Sequence, residues 1–210
     1  SDFFESLFGH AFHHAGGHGQ QQPSSNDHHA KILIDLEDTL NGASRVITIQ
    51  SPKIDQTGHL RNHQRNLNVK IPKGIMPGQH IRLRGQAESS ASGLPAGDLY
   101  LEVAIKPHDF YRVEGADLHY DLPVTPWEAA LGSSIKVPTP DGPVKLKIPA
   151  ESKSGKKMAL RGRGIPGNPK GDLYVVLIIA LPSADSEQAK KLYREMELSL
   201  AFNPRQNLGV

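Results

Sequence analysis

The chain has 210 residues, 24 Lys and Arg against 22 Asp and Glu, a formal net charge of +2 and no cysteine. The absence of cysteine excludes disulfides, thiol nucleophiles and cysteine zinc sites, and fits a reducing compartment. The length allows two domains that each bury a core, the mildly basic balance permits an anionic partner, and no apolar run is long enough to span a membrane.

Residues 1–29 stand apart in composition. They hold Phe3, Phe4, Phe8 and Phe12, six of the eleven His, and a run of Gly, Gln and Ser. So few aliphatic residues cannot build a core, so the segment reads as a flexible tether, with Asp2 to Phe8 as one amphipathic turn. His13-His14 and His28-His29 lack acidic or Cys companions, which argues against a metal.

The first unit opens near residue 31. Ile32, Ile34 and Leu36 alternate as a strand with one buried face. Asp35 and Asp38 have the spacing of a helix cap, and Gly42 ends that short helix. Ile47 and Ile49 follow on a strand, sharing a face with Arg45. Pro52 to His63 is polar and reads as loop. Leu67, Val69 and Ile71 alternate again, Pro77-Gly78 turns the chain into Ile81–Arg84, and a loop over 86–97 leads to the alternating Leu99, Leu101, Val103 and Ile105. Residues 106–110 form a joint, where His108 beside Asp109 reads as a polar linker.

The second unit repeats the first. Residues 69–85 (VKIPKGIMPGQHIRLRG) and 146–162 (LKIPAESKSGKKMALRG) share their framework at an offset of 146 − 69 = 77. Both then reach the same tetrapeptide, Gly97-Asp98-Leu99-Tyr100 and Gly171-Asp172-Leu173-Tyr174. Such self-similarity means two copies of one structural unit. Around it lie an alternating strand at Leu118–Leu122 and a capping box in Thr125-Pro126-Trp127-Glu128, closed by Gly132. Strands are predicted at 135–137, 144–148, 158–161 and 173–181, the last buried on both faces. From Asp185 onward Ala189, Leu192, Met196 and Leu200, with Tyr193 beside them, take helical spacing. That helix either folds back on the second unit or pairs with another chain.

The expected fold is therefore mainly β: two tandem small β-sandwich domains, each with one short helix, followed by a C-terminal helix. The boundaries read as 1–29, 30–107, 108–183 and 184–210.

Gly162-Arg163-Gly164-Ile165-Pro166-Gly167 matches a dinucleotide fingerprint in form only, because prolines interrupt it and a strand follows. No nucleophile elbow, HExxH or acid/base pair is present, so no catalytic residue, metal or cofactor is expected. Two surfaces remain. Ile47 and Ile49 are either core or the floor of a groove that takes an extended peptide as an added strand; Phe110 either plugs the joint or lines that groove. Arg82, Arg84, Lys145, Lys147, Lys156 and Lys157 form basic stripes, either solvated sheet surface or phosphate contacts.

Taken together, the tandem VKIP…G…IRLRG…GDLY, the block DLPVTPWEAALG at 121–132, the joint PHDFYRVEGADL at 107–118 and the Gly/Phe opening resemble the substrate-binding half of the J-domain co-chaperones. Residues 50–66 carry no cysteine where class I members insert a zinc region, so the likeness is to the zinc-less class II, and the closing AFNPRQN is similar to its curved-DNA-binding branch. The resemblance implies a homodimer joined through the terminal helix, with Leu192, Tyr193 and Met196 at the seam. It implies that unfolded client polypeptide binds at Arg45, Ile47, Ile49 and Phe110, and that DNA binds without strong sequence preference. It also implies delivery of clients to a DnaK-type chaperone, and a cytoplasmic, nucleoid-associated, non-membrane setting. The His-Pro-Asp signature of a J-domain is absent here, and such a domain is expected upstream of Ser1, with 1–29 as its linker.

Overall fold

The computed structural model describes residues 27–54, 60–87 and 96–206. The expectations for residues 1–26, and those for 55–59 and 88–95 within the two loops, fall outside these residues.

The first repeat contains β1 (His28–Ile34), α1 (Leu36–Asn41), β2 (Ala43–Ile54), β3 (Leu60–Ile71), β4 (His80–Leu83) and β5 (Leu99–Ile105). The second contains β6 (Tyr111–Glu114), β7 (Asp117–Val124), α2 (Pro126–Leu131), β8 (Ser133–Val137), β9 (Val144–Ile148), β10 (Lys157–Leu160) and β11 (Leu173–Ile179). Helix α3 (Glu187–Leu200) follows.

Each unit packs an open sheet against a two-stranded hairpin. The sheet orders are β1-β5-β4 with hairpin β2-β3, and β10-β11-β7-β6 with hairpin β8-β9. The outer pairings match: β1 with β5 and β7 with β11 run parallel, β4 with β5 and β10 with β11 antiparallel. Alternation along each strand gives one buried face, so Ile32, Ile34, Val69, Ile71, Leu99, Leu101 and Val103 form one core. Leu118, Leu122, Val124, Val137, Ile148, Leu173, Val175 and Leu177 form the other.

The short helices follow from their caps. In α2, Thr125 accepts from the Glu128 amide while the Glu128 carboxylate accepts from the Thr125 amide at 2.8 Å. In α1, Asp35 and Asp38 make the same reciprocal box, and Gly42 and Gly132 close the two helices at φ 76 and φ 80. At Gly132 a Cβ would come within 2.9 Å of the Ala150 amide nitrogen, so only glycine fits the approach.

The motifs that reveal the repeat hold its turns. In the first unit the Gly85 amide donates to Asp98 Oδ1 at 2.8 Å; in the second the Gly162 amide donates to Asp172 Oδ1 at 2.7 Å. The amides of Asp98 and Asp172 donate in turn to Asp27 and Asp117, at 2.8 and 2.7 Å. LRG and GDLY are thus two ends of one carboxylate-tied turn.

Several expectations change. Leu36 lies in α1 rather than ending the first strand. Pro52 to Ile54 and Leu60 to His63 continue the β2-β3 ladder instead of forming loop, because the two runs pair residue for residue from Ala43↔Ile71 to Ile54↔Leu60. The joint contains a further hairpin, β6-β7, with Glu114 opposite Asp117 and Gly115 at φ 61 in the turn. Strand β11 is buried on one face by Leu173, Val175 and Leu177, while Ile178 on the other is 41% exposed. The glycine loop at 162–167 feeds β11, and Gly164 is there because a Cβ would collide with the Ala116 carbonyl.

The two units touch. Leu36 and Leu40 of α1 pack on the second core, and the Gly74 backbone lies directly against the Pro166 carbonyl.

Candidate functional site

The β2-β3 hairpin sets the first surface. Residues directly opposite across an antiparallel pair share a face. Arg45↔Val69, Ile47↔Leu67 and Ile49↔Arg65 therefore line one side, while Val46, 68% exposed, points to the other. Ile47, Ile49 and Leu67 are half-buried and pack on the rim of the first core. They are neither sealed inside nor free on the surface. The repeat makes this informative: Val137, five residues past Gly132 as Ile47 is five past Gly42, is fully buried, and β8 then ends at Pro138. The second unit has no counterpart of Ile49, because its hairpin strands stop after five residues where those of the first run for twelve.

Arg45 is fixed at the base of this face. Its Nη2 donates to Asp38 Oδ1 at 2.8 Å and to Asp35 Oδ2 at 3.0 Å, and its Nε donates to Asp38 Oδ2 at 3.1 Å. The hydrogen bond to Asp38 raises the guanidinium pKa further. Asp35 also accepts from Lys106 Nζ at 3.0 Å, and this bond holds its carboxyl below the usual range. Arg65 on β3 donates from Nη2 to the Gln86 carbonyl, and its buried Nε has no partner among the described residues. Phe110 is 62% exposed on the strap after β5 and lies outside both cores.

The basic residues divide sharply. Arg82 is paired with Asp98, whose hydrogen bond raises its pKa, and it leans over the Tyr100 ring. Arg84 is exposed in the turn after β4. Lys156 Nζ donates to Ser152 Oγ at 3.3 Å, and Lys157 Nζ sits 3.9 Å from the centre of the Tyr174 ring. Lys145 and Lys147 are different. They stand on the exposed face of β9, and Lys136 of β8 lies directly opposite Lys145. None of these three makes an ion pair among the described residues, and the nearby Asp141 is taken by Arg163 and Lys170, each at 3.3 Å. Like charges directly opposite in a ladder are unfavourable, so this face is poised for an anion. Lys136 escaped the sequence reading. The alternation of Ser134-Ile135-Lys136-Val137 against Lys145-Leu146-Lys147 about the Asp141-Gly142 turn would have placed it there.

Helix α3 begins at Ser186, whose Oγ accepts from the Ala189 amide at 3.1 Å. It buries no residue: Leu192 is 60%, Met196 45% and Leu200 64% exposed. Among the described residues it does not fold back on the second unit. Tyr193 is tethered instead, its hydroxyl donating to the Pro182 carbonyl at 2.6 Å.

Doubled sandwiches of this topology, with a free terminal helix, define a class, and the sequence comparison agrees. The family described as the DnaJ C terminal domain matches residues 28–182, and the chain belongs to it. Curated relatives bear the name curved DNA-binding protein. That of Coxiella burnetii (strain Dugway 5J108-111) is 44% identical over 210 residues, covering 99% of this chain and 67% of its own. Those of Pseudomonas putida (strain W619) and Escherichia fergusonii are 37% and 38% identical, covering 98% and 99% of this chain and 67% and 68% of theirs. The chain thus spans about two thirds of the length of these relatives. Family and relatives support a co-chaperone-type or DNA-binding role, in a class of binding proteins rather than known enzymes. No described helix is long and apolar enough to cross a membrane.

Proposed function

We propose that the first unit holds extended apolar segments of unfolded polypeptide along the face of Ile47, Ile49 and Leu67, with Arg45 at one end and Phe110 beside it. The observation that carries this reading is the half-burial of Ile47 and Ile49 on a long hairpin, where the sister unit buries Val137 fully and stops. An apolar face left half open gains free energy by covering, about 25 cal/mol per Å² of apolar surface removed from water. The bare face of α3 supports a homodimer with Leu192 and Met196 in the seam, so that two such arms act together. In the whole protein the client would pass to a DnaK-type chaperone in the cytoplasm. The domain limits 30–107 and 108–183 belong to this reading, with Leu36 reaching across.

A second reading has its own observation. The unpaired Lys136, Lys145 and Lys147 support binding of the DNA backbone, and nucleoid association, through the second unit. Neighbours on one face of a strand are roughly 6.7 Å apart, a spacing that suits successive phosphates. Arg82, Arg84, Lys156 and Lys157 are weaker candidates, since most of their charges or ammonium groups are engaged.

Both readings are tested on one set of variants. Ile47→Ser with Ile49→Ser should abolish suppression of aggregation of unfolded luciferase while sparing DNA affinity. Lys145→Gln with Lys147→Gln should do the reverse, and should reduce the slope of log K against log salt by about 2. Equal loss of both activities in both variants would refute separate sites.

A further inference from the structure

We infer that His108 is a positioning residue for the client surface: its ring straps the Phe110 segment to helix α1, the same helix turn that fixes Arg45. This rests on the client reading above.

The hydrogen bonds define the ring's state. Nδ1 accepts from the Phe110 amide at 3.0 Å and from the Tyr111 amide at 3.2 Å. A nitrogen that accepts two N–H groups carries no proton, so the neutral ring is protonated at Nε2. Nε2 lies 3.2 Å from Glu37 Oε1 on α1 and donates to it. The ring makes tilted contacts with the rings of Phe110 and Tyr111, at 5.8 and 5.1 Å between centroids. Its side chain is only 18% exposed.

The surrounding charges converge on the same helix. Glu37 takes His108, Asp35 takes Lys106 and Arg45, and Asp38 takes Arg45 again. Asp109 is exposed on the strap itself, and Tyr111 is the other titratable group against the ring. Asp35, Glu37 and Asp38, at the start of α1, thus hold Arg45 and the strap beside it at one end of the proposed client face. Phe110 packs in neither core, and the Nδ1 bonds to its amide and to that of Tyr111, where β6 begins, help set the backbone of the strap.

The test uses the full chain and a fluorescent, uncharged Leu/Val-rich peptide, with affinity read at neutral pH. His108→Ala should bind about fivefold more weakly than wild type, an effect of roughly 1 kcal/mol. His108→Asn, whose carboxamide oxygen can accept the Phe110 amide, should bind as tightly as wild type. Hydrogen exchange at the Phe110 and Tyr111 amides, measured without peptide, should lose protection in His108→Ala and keep it in His108→Asn. Wild-type affinity in His108→Ala overturns the inference, as does an Asn variant that follows the Ala variant. If Ile47→Ser with Ile49→Ser leaves peptide affinity unchanged, the client face itself is refuted, and the exchange data still say whether His108 holds the strap.

Discussion

At the scale of single residues, the repeated carboxylates Asp98 and Asp172 show what the shared motif is for. Asp98 is held below the usual carboxylate range by the Gly85 amide first and by Arg82 second. A depressed folded pKa means that the stabilisation is present above the unfolded value, near 4, and is lost as pH falls through the folded value. Asp98→Asn should therefore be less stable than wild type at neutral pH in urea titrations. The gap should close in acid, as pH falls through the folded value and the wild-type carboxyl takes up its proton. The cap of α2 offers a cleaner magnitude. Thr125→Ala leaves the Glu128 amide without its side-chain acceptor and should cost about 1 kcal/mol, read as a fall in melting temperature. Both caps were visible as residue spacing, because a cap is a local contract between positions three apart. His108 was not: its bonds to the Phe110 and Tyr111 amides are local, but the carboxylate that ties its ring to α1, Glu37, lies 71 residues earlier.

At the scale of elements, divergence between the copies matters more than their likeness. The hairpins β2-β3 and β8-β9 follow equivalent helices, yet one is long with a half-open apolar inner face and the other short with a lysine-bearing outer face. The long hairpin was hidden in the sequence because Pro52–His63 is polar and carries no hydrophobic alternation to read. Helix α3 is the opposite case. Its apolar stripe was plain, and tertiary structure added that none of the described residues covers it. Leu192→Ser with Met196→Ser should convert a dimer to monomer in sedimentation. It should leave the melting of the β units nearly unchanged, since no α3 side chain is buried in either core.

At the scale of the whole molecule, the units are coupled rather than strung together. Leu36, 2% exposed, belongs by sequence to the first repeat and by packing to the core of the second. Leu36→Ala should cost roughly 2–5 kcal/mol. If the coupling is as tight as this packing, calorimetry should show one lowered transition rather than a selective loss from either unit. The Gly74 backbone against Pro166 is the second seam, and at φ 82 it needs glycine both for its conformation and for the space.

By itself the sequence determined the duplication, the mainly β class, both helix caps, most strands and the apolar and basic residues from which sites could be made. These depend on period, on turn residues and on neighbours a few positions apart, which a linear pattern records. Only the tertiary structure decided that Ile47 and Ile49 are half-covered, that among the described residues Arg82 is paired while Lys136, Lys145 and Lys147 make no ion pair and α3 buries no side chain, and that one turn of α1 gathers Arg45, Lys106 and His108. Each of those facts is a relation between residues far apart in the chain. Burial and ion pairing are set by what the folded backbone brings across that distance, and no local pattern contains it.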